Sequence, residues 1–121
     1  MEFNDFCWHD AIIKNIEIDR HNPGNDDSIR FQIIWPEEEE KGFLLFEDVY
    51  WASMKLNFGI VADESILNAN QLDDDNEDLI QFHLKWKGTM KGEKLNIYRI
   101  ELNSSGGEIK IIAKNFKVYK R

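Results

Sequence analysis

Cysteine, proline and long apolar runs are scarce in this chain, and each shortage removes a class of protein. One cysteine, Cys7, in 121 residues permits no intrachain disulfide and no zinc-finger spacing. A reducing compartment is the natural setting for such usage. No apolar stretch approaches the ~18 residues that a membrane-spanning helix needs. The start, Met1-Glu2-Phe3-Asn4-Asp5, lacks the basic residues and apolar run of a secretion signal. A soluble, cytoplasmic protein is the expectation. GxSxG and HExxH are absent, and Gly106-Gly107 has neither phosphate-loop spacing nor a following helix.

Basic charge is also missing locally. Between Lys55 and Lys85 no lysine or arginine occurs, while seven acids fall there. Residues 1–84 carry 20 acids against 5 bases and residues 85–121 carry 3 against 10, giving the net charge of −8. This asymmetry is the most unusual feature of the chain.

What is present supports one core. A hydrophobic content of 42%, with 12% aromatic residues, lies outside the range of disordered chains. A single domain over residues 1–121 is expected at this length. Ile12, Ile16 and Ile18 alternate with Asn15, Glu17 and Asp19, as in a half-buried strand. His21 to Asp27 reads as a turn, and Ile29, Phe31, Ile33 and Trp35 as a second strand stopped by Pro36. Glu37 to Gly42 is a connection, its four glutamates a charged hairpin tip, and Phe43 to Phe46 begins a third strand. In "DVYWASMKLNFG" the even positions from Tyr50 to Phe58 favour a fourth strand over a helix, which puts Trp51 on the polar, exposed face.

The helix signal lies in "DNEDLIQFHLKWKG": Asn76 caps, Glu77 and Asp78 suit the positive end, Lys85 and Lys87 the negative, and Gly88 the stop. Leu79, Phe82, His83 and Trp86 share its inner face. Leu95 to Leu102 and Glu108 to Tyr119 form a hairpin around Ser104-Ser105-Gly106-Gly107. Ile109, Ile111 and Ala113 have one parity and Phe116 and Val118 the other, so a β-bulge near Lys114-Asn115 is required. The expected architecture is α+β: one antiparallel sheet of about six strands with one main helix packed on it.

Chemistry is sought and mostly not found. His9-Asp10 has the composition of an acid–base pair, but adjacent residues on extended chain point to opposite faces. Cys7 without a CxxC partner reads as a buried or half-buried thiol. His9, His21 and His83 fall in three separate elements, which argues against a metal site. A calcium loop counted from Asp73 has Asp78 where glycine belongs and Leu84 where glutamate belongs. Lys110, Lys114, Lys117, Lys120 and Arg121 invite a nucleic-acid reading, but the acidic remainder repels phosphate, and these bases balance neighbouring acidic strands more simply. Neither a catalytic residue nor a cofactor or metal ligand is assigned.

Three pieces together, "WHDAIIKNIEID" (Trp8–Asp19), "FEDVYW" (Phe46–Trp51) and "NSSGGEIKIIAKNF" (Asn103–Phe116), resemble small single-domain bacterial proteins that include immunity proteins of polymorphic toxin systems. The resemblance implies a cytoplasmic, non-catalytic inhibitor that binds a cognate toxin, and it carries over no site residues. A basic toxin, such as a nuclease, would be met by carboxylates, which speed and orient association. The candidate partner surface is therefore Trp51 as anchor with Asp73, Asp74, Asp75, Glu77 and Asp78 as charges. The rival expectation is a structural or ligand-binding module that forms a homodimer through an edge strand.

Overall fold

Alternating apolar side chains in six segments decide the architecture, because each segment can bury only one face and the six faces share one interior. The computed structural model describes residues 2–24, 26–36, 40–86 and 94–120. Among these, the strands are β1 (Ile12–Asp19), β2 (Ser28–Trp35), β3 (Glu40–Lys55), β4 (Glu64–Gln71), β5 (Asn96–Leu102) and β6 (Glu108–Lys120), with one α-helix, α1 (Glu77–Lys85), between β4 and β5. All neighbouring strands pair antiparallel. The sheet closes on itself in the order β1-β2-β3-β6-β5-β4.

The result is a sheet-dominated fold with one helix, so the expected strand number and helix hold, while the division of strands differs. Phe43–Phe46 and Tyr50 onward are one 16-residue strand rather than two. The missing sixth strand is β4, "ESILNANQ", whose register slips between Ile66 and Asn68, so that its buried residues Ile66 and Ala69 stand three apart and hide the alternation. The glutamates at 37–39, the helix stop at Lys87 and Gly88, and Arg121 lie outside the described residues.

β3 bends in the middle. Asp48 takes a left-handed backbone (φ 52°), and the register against β6 slips between Val49 and Trp51, making Tyr50 the extra residue. A bulge places two successive side chains on one side of the sheet. Here Tyr50 and Trp51 both face α1: Tyr50 meets the Phe82 ring at 6.5 Å, and Trp51 packs on the cluster formed by Leu79, Phe82, Leu95, Ile97 and Ile112. On β6, Ala113, Phe116 and Val118 all pack on the core, but the bulge expected at Lys114-Asn115 is not there: the register against β3 is unbroken from Phe46–Phe116 to Val49–Ala113, and the extra residue is Tyr50 on β3. β1 has its own slip between Ile13 and Asn15, so Ile13, not Ile12, is the buried residue, ahead of Ile16.

α1 begins as expected, with the Asn76 side chain accepting hydrogen bonds from the backbone N–H of Asp78 and Leu79. Its inner face is narrower than the sequence suggested. Leu79 and Phe82 are buried, whereas His83 and Trp86 are exposed, because a nine-residue helix lying on a curved barrel offers only its central contact line.

The two ends of the barrel differ. At the end where β1, β3 and β5 begin, a short 3-10 turn (Phe3–Asp5) inserts Phe3, fully buried, among Trp8, Phe46, Tyr98 and Phe116 with ring centroids 4.8–6.1 Å apart. The Trp8 indole N–H donates to the Phe3 carbonyl at 2.7 Å, which holds the turn in place. This end is filled.

Two predictions follow from packing at the two ends. A Cβ on Gly107 would run into the backbone carbonyl oxygen of Lys55, and Leu102 is close behind. Gly107→Ala is expected to cost about 1–3 kcal/mol, read as a lower urea midpoint, because the clash is with ladder backbone rather than a side-chain tip. Tyr98 is buried at the filled end, which pushes its phenol pKa up to about 12, against a smaller opposing hydrogen bond from Asn96. The folded state thus keeps a proton that the unfolded chain releases near 10, so stability falls as pH rises through that interval. Absorbance titration of the tyrosines should show one phenol resisting ionisation until about pH 12, with unfolding detected by circular dichroism over the same interval.

Candidate functional site: the open end of the barrel

The ring closes only narrowly, through the first residues of β1, and it opens opposite the aromatic plug, where β1, β3 and β5 finish. β1 meets β4 at Ile12–Ser65 and Ile13–Glu64, continued by hydrogen bonds between Ile66 and the backbone of Asp10 and Ala11. Beyond Ile13, β1 pairs with β2 alone among the described residues. The segment from Leu56 to Asp63, linking β3 to β4, runs beside the unpaired stretch. A cleft of about 510 Å³ opens there, lined by Ile13, Ile16, Leu56, Phe58, Ile60 and Leu102 among others. A second, of about 250 Å³, lies along Val49 to Ala52 and faces Ile18 and Ile29.

The linking segment is apolar where a loop should be polar. Phe58 is 85% exposed, Val61 103% and Ile60 50%, with Leu56 at 36%. β3 ends at Lys55, short of the Phe58 to which the alternation pointed, and Gly59 (φ 90°) then turns the chain in a conformation that L side chains avoid. Contiguous exposed apolar side chains beside a cleft mark interaction sites more often than chance exposure does. The charged residues that line the two clefts balance in sign, Lys14 with Glu64 in the first and Arg20 with Asp27 in the second. Asp63 takes a 2.8 Å ion pair from Lys14, and Arg20 bonds Asp27 at 3.1 Å. The Asp27 carboxyl is held below the usual carboxylate range, first by the Gly24 N–H and then by Arg20.

The acidic run from 63 to 78 does not form one surface. Asp63 and Glu64 belong to the open end, whereas Asp73 sits by Glu2 and Asn4 at the plugged end. Asp73, Asp74, Asp75 and Glu77 are exposed. The run also has counter-ions from distant sequence: Lys94 pairs with Asp74 at 2.8 Å and Lys110 with Asp78 at 2.9 Å. The latter contact raises the Lys110 pKa and ties the start of α1 to β6. Lys117 likewise reaches Glu47 at 3.3 Å. Each such surface pair contributes about 0–1 kcal/mol. Trp51, expected to be exposed, is half-buried because α1 covers the polar-parity face on which it stands. The structure therefore groups Asp74 to Asp78 around α1, away from the open end, and places Trp51 beneath that helix, where it also lines the Val49–Ala52 cleft.

His9 and Asp10 come closer than extended geometry allows. Asp10 adopts a left-handed turn (φ 68°), which brings His9 Nε2 within 3.6 Å of its carboxylate, while His9 Nδ1 bonds the Leu67 carbonyl at 2.8 Å. Both side chains are exposed, and neither open-end cleft is lined by histidine. Cys7 is exposed rather than buried, because the chain between Phe6 and Trp8 turns both rings inward. Among the described residues, no three His, Cys, Asp or Glu side chains group closely enough to hold a metal ion. Likewise, no helix is long and apolar enough to cross a membrane.

Sequence reasoning missed the Leu56–Val61 segment. The signal was available: Phe58-Gly59-Ile60-Val61-Ala62 contains no polar residue, yet Gly59 interrupts any strand through it. Comparison with protein-family models, curated proteins and solved structures finds no match for this chain.

Replacing an 85% exposed ring should spare the fold. Phe58→Ser, alone or with Val61→Ser, is expected to leave the unfolding free energy, read from urea melts, within about 0.5 kcal/mol of wild type. Nile red, a neutral apolar dye, should light up with the wild-type chain and much less with the double variant. Equal dye signals would show that the segment forms no apolar patch in solution.

Proposed function

We propose that this chain is a non-catalytic binding protein whose open barrel end docks a basic protein partner, and that its role is that of an immunity protein neutralising a cognate toxin. The observation that carries the reading is the exposed apolar segment Leu56–Val61 beside a largely apolar cleft, on a chain whose overall charge is acidic. Apolar side chains supply anchoring energy at the centre of an interface, and acidic charge steers a basic partner and fixes its orientation. The net charge of −8 extends that attraction beyond the contact itself. Immunity is the specific form favoured by the resemblance of the Trp8–Asp19, Phe46–Trp51 and Asn103–Phe116 segments.

A second reading keeps the same fold and dispenses with the toxin. The edge of β3 from Tyr50 to Lys55 pairs only with β6, and edge pairing between two copies would give a homodimer. Light scattering distinguishes the two: a stable dimer at micromolar concentration, lost in Ala52→Pro, favours this alternative.

Neutralisation is tested by expressing the product of the adjoining gene, alone and with this chain. Growth arrest relieved by the chain, together with a stable one-to-one complex, supports the proposal; arrest without relief, or no arrest, refutes it. Charge enters separately. Asp73 and Asp74 are exposed and lie away from the open end, so they contribute attraction rather than contact. Asp73→Asn with Asp74→Asn should slow association roughly twofold to fivefold at low salt and leave dissociation unchanged. The difference should vanish at high salt. Stopped-flow rates equal to wild type at low salt would remove these two carboxylates from recognition.

A further inference from the structure

We infer that the partner enters as an extended chain segment, adding a strand to the free edge of β3 with apolar side chains at alternate positions in the two clefts and basic side chains between them. The inference rests on the proposed reading only for the sign of the partner's charge; the mode of binding comes from the sheet.

β2 pairs with β3 from Glu40 to Glu47, and the Val49 N–H reaches the Asp27 carbonyl. After that β2 ends, while β3 continues to Lys55, paired with β6 on its other side. From Tyr50 to Lys55 the lane that β2 vacates holds no backbone partner among the described residues. Natural edges are guarded by proline, inward-pointing charge or brevity. This one, Tyr50-Trp51-Ala52-Ser53-Met54-Lys55, carries a single charge, at its end, and no proline. Six residues of strand offer main-chain hydrogen bonds of the kind that hold added strands in peptide-binding domains.

One cleft opens on that lane, and the other opens on the chain that continues from it past Lys55. The first, beside Val49 to Ala52, is floored by Ile18 and Ile29; the second, beside Leu56 to Ile60, is floored by Ile13, Ile16 and Leu102. A strand presents every second side chain to the same face, so one guest strand can fill both. Its other side chains would meet Asp27 and Glu64, which line the clefts beside Arg20 and Lys14, and the further acids that give the chain its net charge of −8. An acidic or neutral guest gains nothing from them; a basic one does. A second copy of this chain, itself at −8, is the poorer occupant.

The probe is a synthetic ten-residue peptide of alternating valine and lysine, compared with two relatives. One has alternate backbone amides N-methylated, which removes the donors of one strand edge without changing charge; the other has glutamate in place of lysine. Binding is followed by titration calorimetry and by amide hydrogen exchange of Tyr50–Lys55. The parent peptide should bind and slow exchange along this edge. N-methylation, glutamate replacement, and Ile18→Lys in the protein should each weaken binding roughly tenfold or more. Ile80→Lys, on the exposed side of α1, should not. Protected amides and tenfold discrimination without any toxin relief would uphold strand addition and remove only the immunity role. N-methylated and parent peptides binding alike would overturn the inference, as would no binding at millimolar peptide. An edge already protected in the free protein, with a dimeric mass, would overturn it in favour of a second copy.

Discussion

β3 has to pair with β2 at one end and run on past it at the other, and the Asp48–Trp51 bend is what lets one strand do both. Without the extra residue at Tyr50, the register against β6 would stay in phase and Trp51 would exchange places with its neighbours. The bend sends Tyr50 and Trp51 to the outside, where they give α1 an apolar bed. It also carries the last third of β3 away from β2, which leaves the edge and the clefts beside it. Closure of the ring, attachment of the helix and opening of one end are three results of the same local geometry.

The contrast between the two ends is an energetic one. At the plugged end, Phe3 and Trp8 add two aromatic side chains to rings from β3, β5 and β6, and polar demands are met internally by the Trp8–Phe3 hydrogen bond. At the other end, apolar residues of similar size, Ile18, Phe58 and Ile60, stay in water. Burying a side chain of this class is worth roughly 1.5–3 kcal/mol, so the open end forgoes stabilisation that the plugged end takes up. Small domains have little stability to spare. That exposed apolar surface is what the proposed docking rests on.

Strands with strict alternation were legible: Ile29 to Trp35 faces inward at every odd position, as read. The helix was legible at its start, because Asn76 acts through atoms two and three residues away. Its inner face was overestimated, since periodicity does not reveal how broad a contact the barrel provides. Parity failed at each bulge. Lys14 moves burial from Ile12 to Ile13, and Tyr50 moves Trp51 under the helix, because one inserted residue inverts a period-two pattern. The need for a switch near Lys114 was visible because apolar residues flank it on both parities, but the extra residue is Tyr50 on β3. The site was harder. The acidic run drew attention as a block in sequence, yet the fold parts Asp63 and Glu64 from Asp73, and it supplies Lys14, Lys94 and Lys110 as counter-ions from far along the chain.

The pairing of β3 with β6 spans most of the chain, from Gly42–Lys120 to Lys55–Glu108, and Phe3 meets Phe116. On the ribosome, β3 is complete long before β6 exists. Its second half then has no partner on either edge, and Phe3 has no cavity to fill. At usual elongation rates the interval between the two strands is about three to ten seconds. Long-range sheets of this kind also fold slowly once complete, because the closing contacts come late. The residues that suit β3 to receive a guest strand thus make it the part of the nascent chain most prone to take up the wrong one.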